Sequence, residues 1–171
     1  ELEFAKGVGF INTNKAEGMI RETPIVAQFK DNFFPSLALD MLRVAQGASN
    51  HVMKQSELGE SILIKTGQLN IKTNDEGSFI FHHGHTDRFA QIPASEILSN
   101  KTFDLKNKIV IIGASAAGLG DIHSSNLEDD IPGPLFHLQL MDQVLSERFI
   151  TYHIFYDRLI FLFCAGMSIL F

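Results

Sequence analysis

The sequence predicts an α/β domain, a mixed sheet with flanking helices, running into a truncated transmembrane helix. Three observations predict it. Short β-prone runs separated by Gly and polar turns recur through the first 115 residues. Helix-start signals with apolar residues at helical spacing interrupt them. Finally, residues 159–171, LIFLFCAGMSILF, carry no charge and no strong helix breaker.

At 171 residues the chain suits one domain plus a tail. With 45% hydrophobic and 20% charged residues it is neither disordered nor wholly embedded in a membrane. A net charge of −6 offers no basic face for phosphates, so nucleic acid is not an expected partner. Cys164 is the one cysteine and lies in the apolar tail, which leaves the globular part without a disulfide or thiolate metal cluster. A start in mid-pattern at Glu1, with no initiator Met, predicts an excised piece of a longer protein.

In chain order, residues 7–13 and 19–29 are β-prone runs joined by Asn14-Lys15-Ala16-Glu17-Gly18, which predicts a hairpin. PSLALDMLRVAQG follows, with Pro35 and Ser36 at a helix start, Leu37, Met41, Leu42, Val44 and Ala45 on its apolar side, and Gly47 at its end. Strands are expected at 61–65, 68–72 and 77–81, separated by Gly67 and by Asn74-Asp75-Glu76-Gly77. A short helix is expected over 93–98. KIVIIGAS, from Lys108, reads as the clearest strand of all, central and covered on both faces, because it is nearly all apolar and β-branched. Residues 116–133 form a long loop, and a helix over 134–149 places Leu135, Leu138, Met141, Val144 and Leu145 on one core face.

A spanning helix needs about 20 apolar residues, so the terminal run fits only a truncated one. Tyr152, Tyr156 and Arg158 before it suit an interfacial anchor. The expected organisation is therefore a globular domain over 1–150 and the start of a membrane helix over 154–171.

Several constellations carry chemistry, each beside a plainer reading. Gly113-Ala114-Ser115-Ala116-Ala117-Gly118 leaves a strand as a phosphate-cradling turn would, but no helix follows, and small residues in a tight turn explain it better. Ser115, Asp121 and His137 occur in hydrolase order, yet Ala117 stands where the nucleophile elbow needs Gly, and Asp121 lies too close to Ser115; a loop-tying role suits Asp121 better. His82, His83 and His85 cluster at a strand end, with His123 and His137 able to join them. Imidazoles there suit zinc or proton sensing, but adjacent His82 and His83 face opposite ways, and polar rim residues are the plainer reading. Arg21 sits among apolar strand residues, where a charge is either solvated on the open face or paired, and an architectural role suits it better than a ligand contact. No catalytic residue, metal site or cofactor is assigned.

Four blocks, in order, resemble the type-two CHASE family, the cyclase- and histidine-kinase-associated sensory extracellular domains. GFINTNKAEGMIRETPI carries Gly9, Phe10, Asn12, Gly18, Arg21 and Pro24 of the family's opening block, and PSLALDML resembles its first helix start. KIVIIGASAAGLGD matches its strand and loop at Lys108, Gly113, Ser115, Ala116, Gly118, Leu119 and Asp121. PGPLFHLQLMDQVL matches at Pro132, Gly133, His137, Asp142 and Leu145. Departures are Glu17 for the usual Asp before Gly18, Pro134-Leu135 for Val-Glu, and Leu138 for the Ala after His137. The family's first half is expected to be missing, which would leave any site shared between halves incomplete.

The resemblance implies that residues 1–150 are the C-terminal part of an extracytoplasmic sensor, on the periplasmic or extracellular side of the cell (inner) membrane. Its expected role is to regulate a cytoplasmic adenylate or guanylate cyclase; a histidine kinase or serine/threonine kinase output is the alternative. Expected partners are an extracytoplasmic stimulus, the membrane and a second copy of the receptor. Arg21, His82, His83, Ser115, Asp121 and His137 are the candidate ligand contacts. Two further classes stay open: a membrane-anchored extracytoplasmic hydrolase or metalloenzyme, and an oligomerising ectodomain. The helix over 134–149 and the short Thr151-Tyr152-His153 connection are the expected mechanical link to the membrane.

Overall fold

Within the polar stretch expected to join two strands, β1 (Lys15–Ala16) itself pairs antiparallel with β2 (Met19–Ile20). The computed structural model describes residues 4–13, 15–16, 19–57, 59–99, 101–115, 122–125, 127–150 and 160–167. It makes this hairpin shorter than expected, since residues 7–13 contribute only a parallel bridge from Phe10 to Ser36. The run 19–29 divides into β2, β3 (Glu22–Pro24) and β4 (Val26–Phe29). Pro24 and bends at Arg21 and Ile25 segment it, and β4 turns at Lys30, in the left-handed region at φ 56°, into β5 (Asn32–Pro35), where no strand was expected.

Helix α1 (Leu37–Ala45) starts as Ser36 predicts, the hydroxyl accepting from Leu39 N at 3.3 Å. Its core face is rotated from the expected one. Ala38, Leu39, Asp40 and Leu42 are buried, whereas Ala45 is exposed and Leu37, Met41 and Val44 line a groove with Val8, Ile109 and Val110. The physical reason is the N-terminal segment, which crosses at Leu37: Leu37 N donates to Phe10 O at 2.8 Å. Gly9 permits that approach, because a Cβ there would sit 2.5 Å from Leu37 N.

β6 (His51–Gln55), β7 (Ser61–Thr66) and β8 (Leu69–Asn74) form an antiparallel sheet in that order, with Ile64 opposite Ile71. Alternation sorts Ile64, Thr66, Ile71 and Thr73 inward and Lys65 and Lys72 outward. Asp40 ties α1 to this sheet. It accepts from Arg43 Nε at 2.6 Å and His51 Nε2 at 3.2 Å, and His51 Nδ1 meets Thr66 Oγ1 at 2.6 Å. Burial pushes the Asp40 carboxyl up, but the bonds from Arg43 and His51 outweigh it and hold it below the usual carboxylate range. Asp40→Asn is expected to cost about 2 kcal/mol in urea unfolding at neutral pH. A carboxyl depressed on folding stabilises above its unfolded value, about 3.9, and that contribution fades as pH falls through the folded value. The two proteins should therefore converge in stability in acid, and a difference independent of pH would contradict the ion pair.

The Asn74–Gly77 turn leads to β9 (Ser78–Ile80), which pairs antiparallel with β3. A 3-10 turn (Thr86–Arg88) and the short helix α2 (Ala94–Leu98) follow, the latter where expected. The expected central strand at 108–112 is not one. These residues join no ladder, and Val110 and Ile112 are exposed, at 47% and 94%. β-branched composition expresses a preference for a pleated, half-buried surface, and no partner strand lies beside it among the described residues.

The long loop holds a small ribbon, β10 (Ile122–His123) against β11 (Ile131–Pro132), and passes directly into α3 (Gly133–Leu145) with Pro134 in its first turn. α3 ends four residues earlier than expected: Glu147 enters the left-handed region at φ 51°, and Leu145 is exposed. Ile20, Leu39, Leu42, Ile64, Ile71, Phe79, Phe81, Phe136, Leu140, Met141 and Val144 form one core between the helices and the strands. The α/β class holds, but in place of one mixed sheet the described strands form small antiparallel sheets, with parallel contacts only as isolated bridges. Residues 160–167 are helical. Among the described residues, no helix is long and apolar enough to cross a membrane.

Candidate functional site

The chain leaves β9 and lays residues 80–86 along α3, where two glutamines of the helix take the place of a neighbouring strand. Gln143 Nε2 donates to Ile80 O at 2.8 Å and to Arg148 O at 2.9 Å, and its Oε1 accepts from His82 N at 2.9 Å. One turn earlier, Gln139 Nε2 donates to Gly84 O at 2.8 Å, with Gly84 N directed back at its Oε1. Both side chains are buried, so these bonds are shielded from competing water. Residues four apart share one helical face, which is why a pair at 139 and 143 can serve a single extended strip.

Alternation along the strip sends Phe81 inward, His82 to solvent and His83 back toward the core. His83 Nε2 lies 2.6 Å from Ile20 O. A carbonyl only accepts, so Nε2 carries the proton and Nδ1 the lone pair; that Nδ1 is buried and has no hydrogen-bond partner among the described residues. The ring meets Phe81 edge-on at 4.6 Å, and Phe81 lies 4.6 Å from Phe136, which in turn contacts His123 at 5.2 Å and His137 at 5.5 Å. Burial lowers the His83 pKa; its bond to Ile20 raises it in part, and the nearby His82 lowers it further.

Glu128 anchors the far end of the strip. It accepts from Thr86 N at 3.0 Å, Thr86 Oγ1 at 2.8 Å and His85 Nδ1 at 3.2 Å. Those bonds, the Thr86 hydroxyl foremost, hold its carboxyl below the ordinary range. Ser125 shapes the same loop, its hydroxyl donating to Glu128 O and accepting from Leu127 N and Glu128 N. Arg88 meets Asp142 of α3 at 2.9 Å, and Arg148 also pairs with Asp142.

Of the six candidate contacts, His83 and His137 join the same aromatic cluster. His82 is exposed beside it. Arg21 is exposed, and its backbone carbonyl accepts from Phe81 N at 2.9 Å. Ser115 is exposed and follows Gly113, where a Cβ would come 2.3 Å from Pro134 Cγ; small residues there let the chain pass the start of α3. Asp121 lies outside the described residues. No three His, Cys, Asp or Glu side chains come together as a metal site among the described residues.

Gln139, Gln143, Thr86 and Glu128 were not picked out by the sequence reading. A glutamine on a helix reads as solvent-facing, although the placement of both on the side of Phe136 and Leu140 is a usable signal. A family model described as the CHASE2 domain matches residues 3–170. No curated protein and no solved structure matches the chain.

Proposed function

The chain belongs to the CHASE2 domain family, the extracellular sensory domains of signalling receptors, and we propose that it regulates a cytoplasmic adenylate or guanylate cyclase from across the cell membrane. In this reading residues 1–150 face the periplasm or cell exterior, and the apolar run 159–171 begins the membrane-spanning part. The receptor works as a dimer through its membrane and output segments.

One observation carries the proposal: the coupling of the 80–84 strip to α3 through Gln139 and Gln143. A stimulus that moves the strip changes which arrangement of α3 is favoured, and α3 is the last described helix before the segment leading to the apolar run. A stimulus shifts that balance only by binding the two arrangements unequally. The resemblance to the cyclase-associated sensory domains supports cyclic nucleotide synthesis as the output.

The complete receptor is expected to make cyclic AMP or cyclic GMP, and Gln139→Leu is expected to change its basal output about fivefold, the effect of roughly 1 kcal/mol on a two-state balance. Protein phosphorylation as the output would replace the cyclase with a kinase. Output indifferent to Gln139→Leu would remove α3 from the signalling path.

A further inference from the structure

His83 is placed as an acid-responsive latch. We propose that protonation of its Nδ1 releases the 80–84 strip from α3, so that acidity is a stimulus this domain registers; acidity as a stimulus rests on the sensory reading above.

The geometry assigns the step. In the neutral ring the Nε2 hydrogen bond is already made to Ile20 O, and the Nδ1 lone pair is buried without a partner among the described residues. A second proton makes Nδ1 a charged donor facing no acceptor, with the ring held against the edge of Phe81. Turning the ring to water satisfies the new donor, but it gives up the bond to Ile20 and pulls at Gly84, which Gln139 holds on α3.

The surrounding charges do not prevent this. On its own segment lie His82 and His85, and beyond them Asp87 and Arg88 of the 3-10 turn. Arg21 and Glu22 follow β2, His123 stands on β10, and His137 and Asp142 stand on α3. Asp142 is engaged by Arg88 and Arg148, and Glu128 by Thr86 and His85. Among the described residues, no carboxylate lies within 4.0 Å of the His83 ring to compensate a charge there. His123 and His137 lie at the other end of the aromatic cluster, against Phe136.

The sign follows from burial. A histidine whose pKa falls on folding takes up its proton first in the unfolded chain, so stability is full above about pH 6.5 and declines as pH falls below it.

The test uses the full 171-residue chain in detergent micelles. Ring resonances of the histidines, followed from about pH 8 to pH 4, should show His83 titrating below the ordinary histidine value of about 6.5. Over about pH 7.5 to 5.5, Tm should fall by about 3–5 °C, and amide exchange at His83 and Gly84 should quicken. His83→Gln, whose amide still reaches Ile20 O, should lose most of that pH dependence. A His83 midpoint at or above about 6.5, or an unchanged slope of Tm with pH in His83→Gln, would overturn the latch; the wild-type titration decides the matter even if the variant fails to fold. In the complete receptor, acid-dependent output that disappears in His83→Gln supports the stimulus. Output indifferent to pH, with the latch intact in the chain, overturns acidity as the stimulus and leaves the sensory role standing. A receptor without any regulated output would count against the sensory reading itself.

Discussion

Phe136→Ala is expected to lower the unfolding free energy by about 3–5 kcal/mol. The ring is 2% exposed and sits where α3, the 80–84 strip and the β10–β11 ribbon converge, in contact with Phe81, His123 and His137. Truncation removes its transfer free energy and leaves a cavity that these neighbours cannot close, since each belongs to a different element held by its own backbone bonds. Urea unfolding should show a lower midpoint at an unchanged slope. Leu145→Ala, on the same helix but 53% exposed, should stay within about 0.5 kcal/mol of wild type. Equal effects of the two substitutions would mean that the aromatic cluster is not where the domain holds together. Water entering the cavity should also raise the His83 midpoint toward its ordinary value, because burial is what lowers it.

The parts of this fold that were legible in the sequence are those in which a local signal and a tertiary partner agree. Ile64, Ile71 and Thr73 alternate with Lys65 and Lys72 on either side of Gly67, so β7 and β8 could be placed within a residue or two. Ser36 fixes the start of α1 through its own hydroxyl, but which side of α1 is covered depends on the remote Phe10 segment, and so the expected face was rotated. The strand expected at Lys108–Ile112 failed for a related reason. Its side chains state a preference, whereas pairing needs a partner, and none stands beside it among the described residues. Residues 19–29 read as one strand because nothing local announces that β3 pairs with β9 while β4 pairs with β5.

The candidate site was half legible. Opposite facing of His82 and His83 followed from the period of a strand, and it is observed. Helical spacing put His137 on α3, but it did not foretell that α3 would bury polar residues on several sides. Gln139, Gln143 and His137 are all covered, because the strip and the β10–β11 ribbon flank the helix in addition to the core. Glu128 lies in the long loop expected over 116–133. Its role depends on Thr86, 42 residues away, and no local pattern links the two.

Gln143→Leu should separate stability from communication. Leucine nearly preserves the volume of a side chain that is 1% exposed, so any loss comes from the three hydrogen bonds rather than from a cavity. His82 N, Ile80 O and Arg148 O lose their partner together, and partial access to water softens the penalty, for an expected cost of about 3 kcal/mol. Hydrogen exchange should locate the damage. Protection at His82 should drop by roughly tenfold or more, with weaker effects at Phe81 and Gly84, while β7 and β8 lose only what the global destabilisation requires. Gln143→Glu gives the contrast: its carboxylate still accepts from His82 N but repels the two carbonyls, so exchange at His82 should stay nearer wild type while stability falls. If both substitutions instead lower protection evenly across the domain, the strip and α3 move as one body. The signal would then have to leave the domain by a route other than relative motion between them.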